Sequence, residues 1–379
     1  MHIKSIEPIA VSLSMLKPVI MAGEEVRRAD NVLVRIETDT GLVGWGEAAS
    51  APTMTGDTIE SIVAAVHHLE SALRGRAAAD IAGALVAMDG RMYGNLGAKA
   101  AIEIALHDVT GRATSMPMHA LLGDQLRRRI SLLCVIGGGD LEGDLADAKK
   151  KKAAGFTAYK IKVGIDTAAK DAARTREICQ VLKKQVLGNG FLISADANQG
   201  FGTDEAIDYV RAVKGAGLDF FEQPVEAHDL AGMAAVAAAA PEIAIGADEG
   251  IHGLDDITRH HQAKAARGVS LKAIKLGGAR GVVAAARLCD SLGMSVNVSC
   301  KTGESSIACA AALHVASVIP NIAWALTLTH TALGQDVTAH PVPTGHGHVE
   351  SLDRHGLGID VDEDLVRRYR VPITARNVA

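Results

Sequence analysis

Three carboxylates recur at intervals of 26 residues in the middle of the chain: Asp196, Glu222 and Asp248. Each stands at or near the end of a short apolar run, FLISAD (191–196), LDFFEQP (218–224) and IAIGAD (243–248). That interval suits one β/α unit, so three successive strands are expected to deliver one carboxylate each to the same rim. Burying a carboxylate is costly unless it is paired or metal-bound, and three converging ones repel without a cation. An all-oxygen set, with no histidine or cysteine at these positions, suits Mg²⁺ or Mn²⁺ better than zinc.

Lysines flank this arc on both sides. Lys160 and Lys162 lie in AYKIKVG (158–164), where period two points both the same way, and Lys272 and Lys275 lie in SLKAIKL (270–276). A lysine beside a cation and another ammonium has its charged form disfavoured, so its pKa is expected to fall and it can serve as a base. Two such bases on opposite sides of a bound carboxylate could take a proton from one face and return it to the other. The metal would hold the enediolate formed by loss of the proton α to that carboxylate.

The elements that must position these groups follow from the pattern of apolar runs. From about residue 129 eight runs alternate with helices: ISLLCVIG (130–137), AYKIKVG, FLISAD, LDFFEQP, IAIGAD, SLKAIKL, SVNVSC (295–300) and IAWALTL (322–328). Continuous apolar runs mean strands buried on both faces, and eight such units predict a closed parallel barrel. An open doubly wound sheet is the alternative, but no GxGxxG follows a first strand. Residues 1–125 read as α+β, with a hairpin in NVLVRIETDTGLVGWGEA (31–48) and helical patterns in TIESIVAAVHHLESAL (58–73) and GAKAAIEIALHDVTGRA (97–113). Residues 341–379 are expected to pack back on that first domain. The histidines at 340, 346, 348 and 355 match no closed ligand spacing, and a solvated loop is expected there.

Composition excludes several classes of function. The 379 residues are 48% hydrophobic, 22% charged and only 3% aromatic, with a net charge of −5. There is no basic footprint for nucleic acid or anionic lipid, and few aromatics for stacking bases. The N-terminal MHIKSIEPIAVSL has no signal-peptide pattern, and the apolar window 307–326 is broken by His314, Pro320 and Asn321. A cytoplasmic protein with no membrane partner is expected. Five dispersed cysteines read as small buried hydrophobes in a reducing compartment.

The ordered motifs KIKVG, ADANQ, FFEQPV, GADEG and LKAIKLGGAR resemble the enolase superfamily, and within it the muconate lactonizing enzyme subgroup of the mandelate racemase/muconate lactonizing enzyme family. A Lys base working with Mg²⁺ is the known arrangement of that superfamily. The resemblance implies a modified (β/α)7β TIM-type barrel (126–340) under an α+β capping domain (1–125), with the C-terminal segment 341–379 returning to the cap. It implies Asp196, Glu222 and Asp248 as Mg²⁺ ligands and Lys162 as one acid/base. Lys272, five residues before Gly277-Gly278, is the opposite acid/base, with Lys275 as the other candidate. The two lie three apart and are not both expected to point inward from a regular strand. Lys160, Asn198, Glu249, Lys275 and Glu304 are accessory candidates.

The resemblance also has departures. The seventh run carries no histidine, so the His and Asp pair of the mandelate racemase subgroup is missing. The eighth, WALTLTH (324–330), has neither the glutamate that muconate lactonizing enzymes would show near Thr327 nor the Asp-x-Asp pair of dipeptide epimerases. Specificity is expected from cap loops 15–29 and 51–56, with Lys17, Arg27 and Arg28 as candidate anion contacts.

The implied activity is a Mg²⁺-dependent isomerase acting on a small carboxylate, either a muconate-type cycloisomerase or a racemase or epimerase of an amino-acid derivative. An o-succinylbenzoate-synthase-like or hydroxy-amino-acid dehydratase would use the same residues, and a catalytically silent metabolite-binding barrel is the alternative from another class. A homo-oligomer is expected.

Overall fold

The computed structural model describes residues 1–21, 24–137, 140–183 and 191–373. Three long strands, β1 (Ile3–Met21), β2 (Glu24–Thr38) and β3 (Val43–Ala49), form an antiparallel meander. Helices Ile59–Leu73, Ile81–Arg91 and Leu96–Thr114 pack with it around a separate apolar core. After a short strand β4 (Arg129–Ser131), the chain enters eight strands that pair in sequence order, each parallel to the last. These are β5 (Leu133–Ile136), β6 (Ala158–Lys162), β7 (Leu192–Asp196), β8 (Phe220–Glu222), β9 (Ala244–Ala247), β10 (Gly268–Leu271), β11 (Ser295–Ser299) and β12 (Leu326–Thr327). A parallel bridge between Leu132 and Leu326 closes the ring, so the chain forms a TIM-type barrel with an α+β cap.

Alternation along each strand divides the residues between two surroundings. Ile161, Ile193, Phe221, Ile245, Val269, Leu271, Val296 and Val298 face the surrounding helices and join the main core. Leu133, Ala158, Phe220, Trp324 and Ala325 form a small apolar cluster of their own inside the barrel. Phe220 stacks flat on Trp324, with ring centroids 3.9 Å apart and planes 6° from parallel. The indole needs Gly246 and Gly268, which pair across β9 and β10. A Cβ at either would lie 2.9 Å or 2.3 Å from the Trp324 ring. Toward the C-terminal ends of the same strands the inward residues turn polar and then charged.

Two buried cap glutamates tie the cap to the barrel helices. Glu47 of β3 accepts from Ser305 N (2.9 Å), Ser305 Oγ (2.6 Å) and Ala308 N (3.0 Å) at the start of helix Ser306–Val318. Glu103 accepts from Ala279 N (2.9 Å) and Arg280 N (3.1 Å) at the start of helix Ala279–Ser291. Both place a carboxylate where free helix N–H groups and the helix dipole favour negative charge.

The C-terminal segment differs from the loop expected for its first part. Strand β13 (His348–Glu350) pairs antiparallel with β4, and Leu132 N donates to Gly347 O (2.9 Å), at the N-terminal end of the barrel. Beyond it Leu357 N donates to Asp108 Oδ1 (2.8 Å), and Val371 N to Ala10 O (2.9 Å), both on the cap. Among the described residues no helix is long and apolar enough to cross a membrane.

Candidate active site

The strand register brings the acids and lysines together. Lys162 pairs with Asp196 across β6 and β7, and Asp196 with Glu222 across β7 and β8. Glu222 pairs with Gly246 of β9, and Asp248 follows just after that strand ends. All three carboxylates are buried, at 2% exposure or less. Lys160 bridges two of them, 3.6 Å from Asp196 Oδ2 and 2.7 Å from Glu222 Oε2. Lys162 donates to Asp196 Oδ2 (2.7 Å) and to Asn198 Oδ1. Asn198 in turn donates to Glu249 Oε1 (3.0 Å), so Asn198 and Glu249 form a chain behind Lys162.

On the other side both Lys272 and Lys275 reach Asp248, contrary to the expectation that only one could. The reason is local: β10 ends at Leu271, and the chain turns at once into a short helix, Ala273–Leu276. Lys272 leaves the strand end inward, while one helical turn brings Lys275 back beneath the same carboxylate. Lys272 donates to both Asp248 oxygens and to nothing else among the described residues. Lys275, fully buried, donates to Asp248 Oδ1 (2.6 Å), to Asp248 O and to Ser270 O (3.1 Å). All three of its protons are used, as a structural lysine requires.

The protein's own charges set the protonation states. Burial pushes the Asp248 carboxyl up, but Lys272 and Lys275 overcome it and hold it well below the usual range. Asp196 is likewise opposed by burial and held low by Lys162 and then Lys160. Glu222 goes the other way, raised by burial and by the charges of Asp196 and Asp248 against the pull of Lys160 and then Lys272. Glu249 is pushed up to about 7 by burial and by the charges of Asp248 and Asp196. Burial lowers Lys272, yet Asp248, Glu222 and Glu249 together raise it above its ordinary value. The expected depression of this lysine is therefore not produced by the protein groups alone. Lys275 is lowered by burial despite Asp248.

The donor set suits a hard divalent cation. Both Glu222 carboxylate oxygens are buried, and their close partner among the described residues is the Lys160 ammonium, 2.7 Å from Oε2. A buried carboxylate faced by one ammonium and set beside two other carboxylates is chemistry that a divalent cation completes. Among the described residues no three His, Cys, Asp or Glu side chains stand close enough to cage an ion by themselves, and Lys160 lies between Asp196 and Glu222.

Several positioning residues escaped the sequence reading. Gln199 Oε1 accepts from Ala227 N (2.9 Å), and Gln223 Oε1 accepts from Asp248 N (2.9 Å). Each glutamine of ADANQ and FFEQP thus clamps the loop after the next strand. Their backbones carry the cost: Asn198, Gln199 and Gln223 have φ of 43°, 70° and 34°, a region that non-glycine residues seldom occupy. The signal was present, since both glutamines sit one or three residues after a predicted ligand.

The opposite side of the mouth is built differently. Thr327 Oγ1 is within 3.3 Å of Asn297 Nδ2, and Thr329 Oγ1 donates to Lys301 O (2.8 Å). Glu304 accepts from Lys301 N (2.8 Å) and is pushed up to about 8 by burial and then by Glu47. Its visible role is to hold the loop after β11. In the cap, Arg28 is bound to Ser12 Oγ (2.8 Å) and Ser12 O (2.6 Å), and Lys17 is exposed. Residues 22 and 23 of the expected specificity loop lie outside the described residues.

Comparison with known proteins agrees along the whole chain. Residues 6–123 match the mandelate racemase/muconate lactonizing enzyme N-terminal domain, and residues 144–365 match the family described as enolase C-terminal domain-like. The L-Ala-D/L-Glu epimerase of Bacillus subtilis is 34% identical over 85% of this chain and 87% of its own length. Two solved structures superpose with a TM-score of 0.91 at 27% identity, each covering 98% of this chain and 99% of theirs. One is muconate lactonizing enzyme from Pseudomonas fluorescens with muconolactone, and the other is N-succinyl Arg/Lys racemase from Bacillus cereus. The chain belongs to the mandelate racemase/muconate lactonizing enzyme family, in the muconate lactonizing enzyme subgroup of the enolase superfamily.

Proposed function

We propose that the chain is an isomerase that removes and returns the proton α to a carboxylate of a small substrate, with Lys162 and Lys272 acting from opposite sides. The observation that carries this reading is the division of labour among four lysines around three carboxylates. Lys160 is locked between Asp196 and Glu222, and Lys275 has all three donors engaged within the protein. Lys162 and Lys272 are the two that pair with a single carboxylate each, Asp196 and Asp248, and bond no backbone group among the described residues.

Asp196, Glu222 and Asp248 would hold a divalent cation, Mg²⁺ or Mn²⁺, which supplies the positive charge that stabilises a substrate carboxylate as negative charge accumulates there. Asn198 orients Lys162, and Glu249 holds Asn198. A neutral lysine on one face takes the α-proton, and the protonated lysine opposite donates to the other face. Two-sided transfer inverts the carbon, which supports racemisation or epimerisation of an amino-acid derivative. The named activities of the epimerase and racemase relatives support the same choice. Cycloisomerisation of a muconate-like diacid, supported by the muconate lactonizing enzyme match, would need one lysine only.

The test is solvent deuterium incorporation at the α-carbon across muconates, dipeptides, N-acyl amino acids and proline derivatives, with Mg²⁺ and with chelator. Exchange that depends on the metal is expected for at least one class. Exchange on both faces favours the racemase reading, and exchange on one face the cycloisomerase. A catalytically silent metabolite-binding barrel would bind ligands and exchange nothing.

A further inference from the structure

Lys162 is the last residue of β6, and β5 beside it already stops at Ile136, the partner of Ile161. The lysine therefore leaves the sheet where one neighbouring strand no longer pairs with it. Helix Ala168–Lys183, which follows β6, supplies the missing hold. Arg174 Nη2 donates to the Lys162 carbonyl, and two residues further on Gly164 N donates to Asp171 Oδ2 (2.7 Å). Arg174 and Asp171 are themselves joined, Nη2 to Oδ1 at 3.0 Å, so the two contacts form one clamp. Nη1 of the same guanidinium donates to Asp144 on the preceding helix, Leu141–Ala153. One arginine thus ties two helices to the backbone of one strand end.

The surroundings leave this clamp little freedom. Asp144 and Asp171 are buried, at 4% and 2% exposure, and the Arg174 side chain is nearly so. Gly137, just past β5, leaves no room for a side chain of its own: a Cβ there would come 2.9 Å from Lys162 Cβ. Lys162 is therefore held at its root by Arg174 and Asp171, and at its tip by Asp196 and Asn198. A planar guanidinium spans two carboxylates and a carbonyl at fixed angles, which an ammonium on a flexible stem does not. Lys272 is placed by other means. Its carbonyl accepts from Lys275 N (3.1 Å) in the short helix Ala273–Leu276, and among the described residues the side chains of Arg174, Asp171 and Asp144 make no hydrogen bond to β10.

We infer that Arg174, set by Asp171 and Asp144, is a positioning residue for Lys162 and not for Lys272, so that the two faces of the substrate are served by lysines placed independently. This rests on the isomerase reading given above.

The experiment measures α-proton exchange in deuterated solvent with Mg²⁺, from each enantiomer of one active substrate. It compares the wild type with Lys162→Met, Arg174→Met and Arg174→Lys, each rate expressed per folded molecule from circular dichroism. Misplacing a catalytic group by about 1 Å costs on the order of 10²-fold. Arg174→Met should therefore lower kcat by roughly 10- to 100-fold for the exchange that Lys162→Met abolishes, and leave exchange from the opposite face within about 3-fold. Arg174→Lys keeps a positive charge between the two aspartates and should show the same one-sided loss at smaller size; it decides the question if the methionine variant does not fold. Equal losses on both faces, or no loss on the Lys162 face, would overturn the assignment and leave the isomerase reading standing. No exchange in the wild type, or undiminished exchange from both faces in Lys162→Met, would instead sink that reading and the inference with it.

Discussion

The two ends of one barrel interior are made by the same strands and obey opposite rules. At the N-terminal end Phe220, Trp324, Leu133 and Ala158 fill the space with close-packed apolar surface. Two residues on from Phe220 the same strand presents Glu222, a buried carboxylate facing the Lys160 ammonium. The floor gains about 1.5–3 kcal/mol for each large side chain buried. The mouth buries charges whose desolvation consumes most of what their pairing returns. Stability and chemistry are thus separated along the strand axis by about 7 Å, the length of one pleat repeat. A β/α barrel can change the mouth without unmaking the floor.

Substitutions at each end can break or sharpen that contrast. The largest expected effect is at the mouth: Lys162→Met and Lys272→Met should each lower turnover by about 10³-fold, within the range for a positioned acid or base. Unfolding free energy should change by no more than about 1 kcal/mol, because Asp196 keeps Lys160 and Asp248 keeps Lys275. Kinetics beside urea unfolding checks both halves. The converse change, Trp324→Ala, should cost about 3–5 kcal/mol of stability and leave kcat of the folded fraction within a few-fold. A dead but stable Trp324 variant would mean that the floor also shapes the site.

Lys275→Met falls between the two. It leaves the Ser270 and Asp248 carbonyls without their donor and should cost about 1–3 kcal/mol, with a smaller loss of turnover than at Lys272. A dead Lys275 variant beside an active Lys272 variant would reverse their roles.

The smallest effect concerns pH. Glu304 at the mouth is raised in the fold to about 8, so its contribution to stability is full below the unfolded value near 4.5. That contribution is lost as pH rises through about 8. Melting temperature should fall between pH 5 and pH 8.5, and Glu304→Gln should flatten the slope, whereas Trp324→Ala should lower the whole curve in parallel.

How much of this was legible in the sequence depends on the range of the interaction concerned. Asp196, Glu222 and Asp248 could be read because a β/α repeat puts successive strand ends at a regular interval, and Lys160 and Lys162 because alternation is local. The convergence of Lys272 and Lys275 was not, since it depends on the chain leaving the strand at Leu271 for a single helical turn. Glu47 and Glu103 were invisible for a different reason. Each caps a helix that begins more than 170 residues later, and no local pattern records so distant a partner.

The most direct test of two-sided proton transfer follows deuterium exchange from each enantiomer of one active substrate, with Lys162→Met and Lys272→Met in parallel. The geometry predicts complementary losses: each variant should keep exchange with the enantiomer whose α-proton faces the remaining lysine and lose it with the other. If either variant exchanged both enantiomers at the wild-type rate, that lysine would not be one of the two bases, and the account would be wrong.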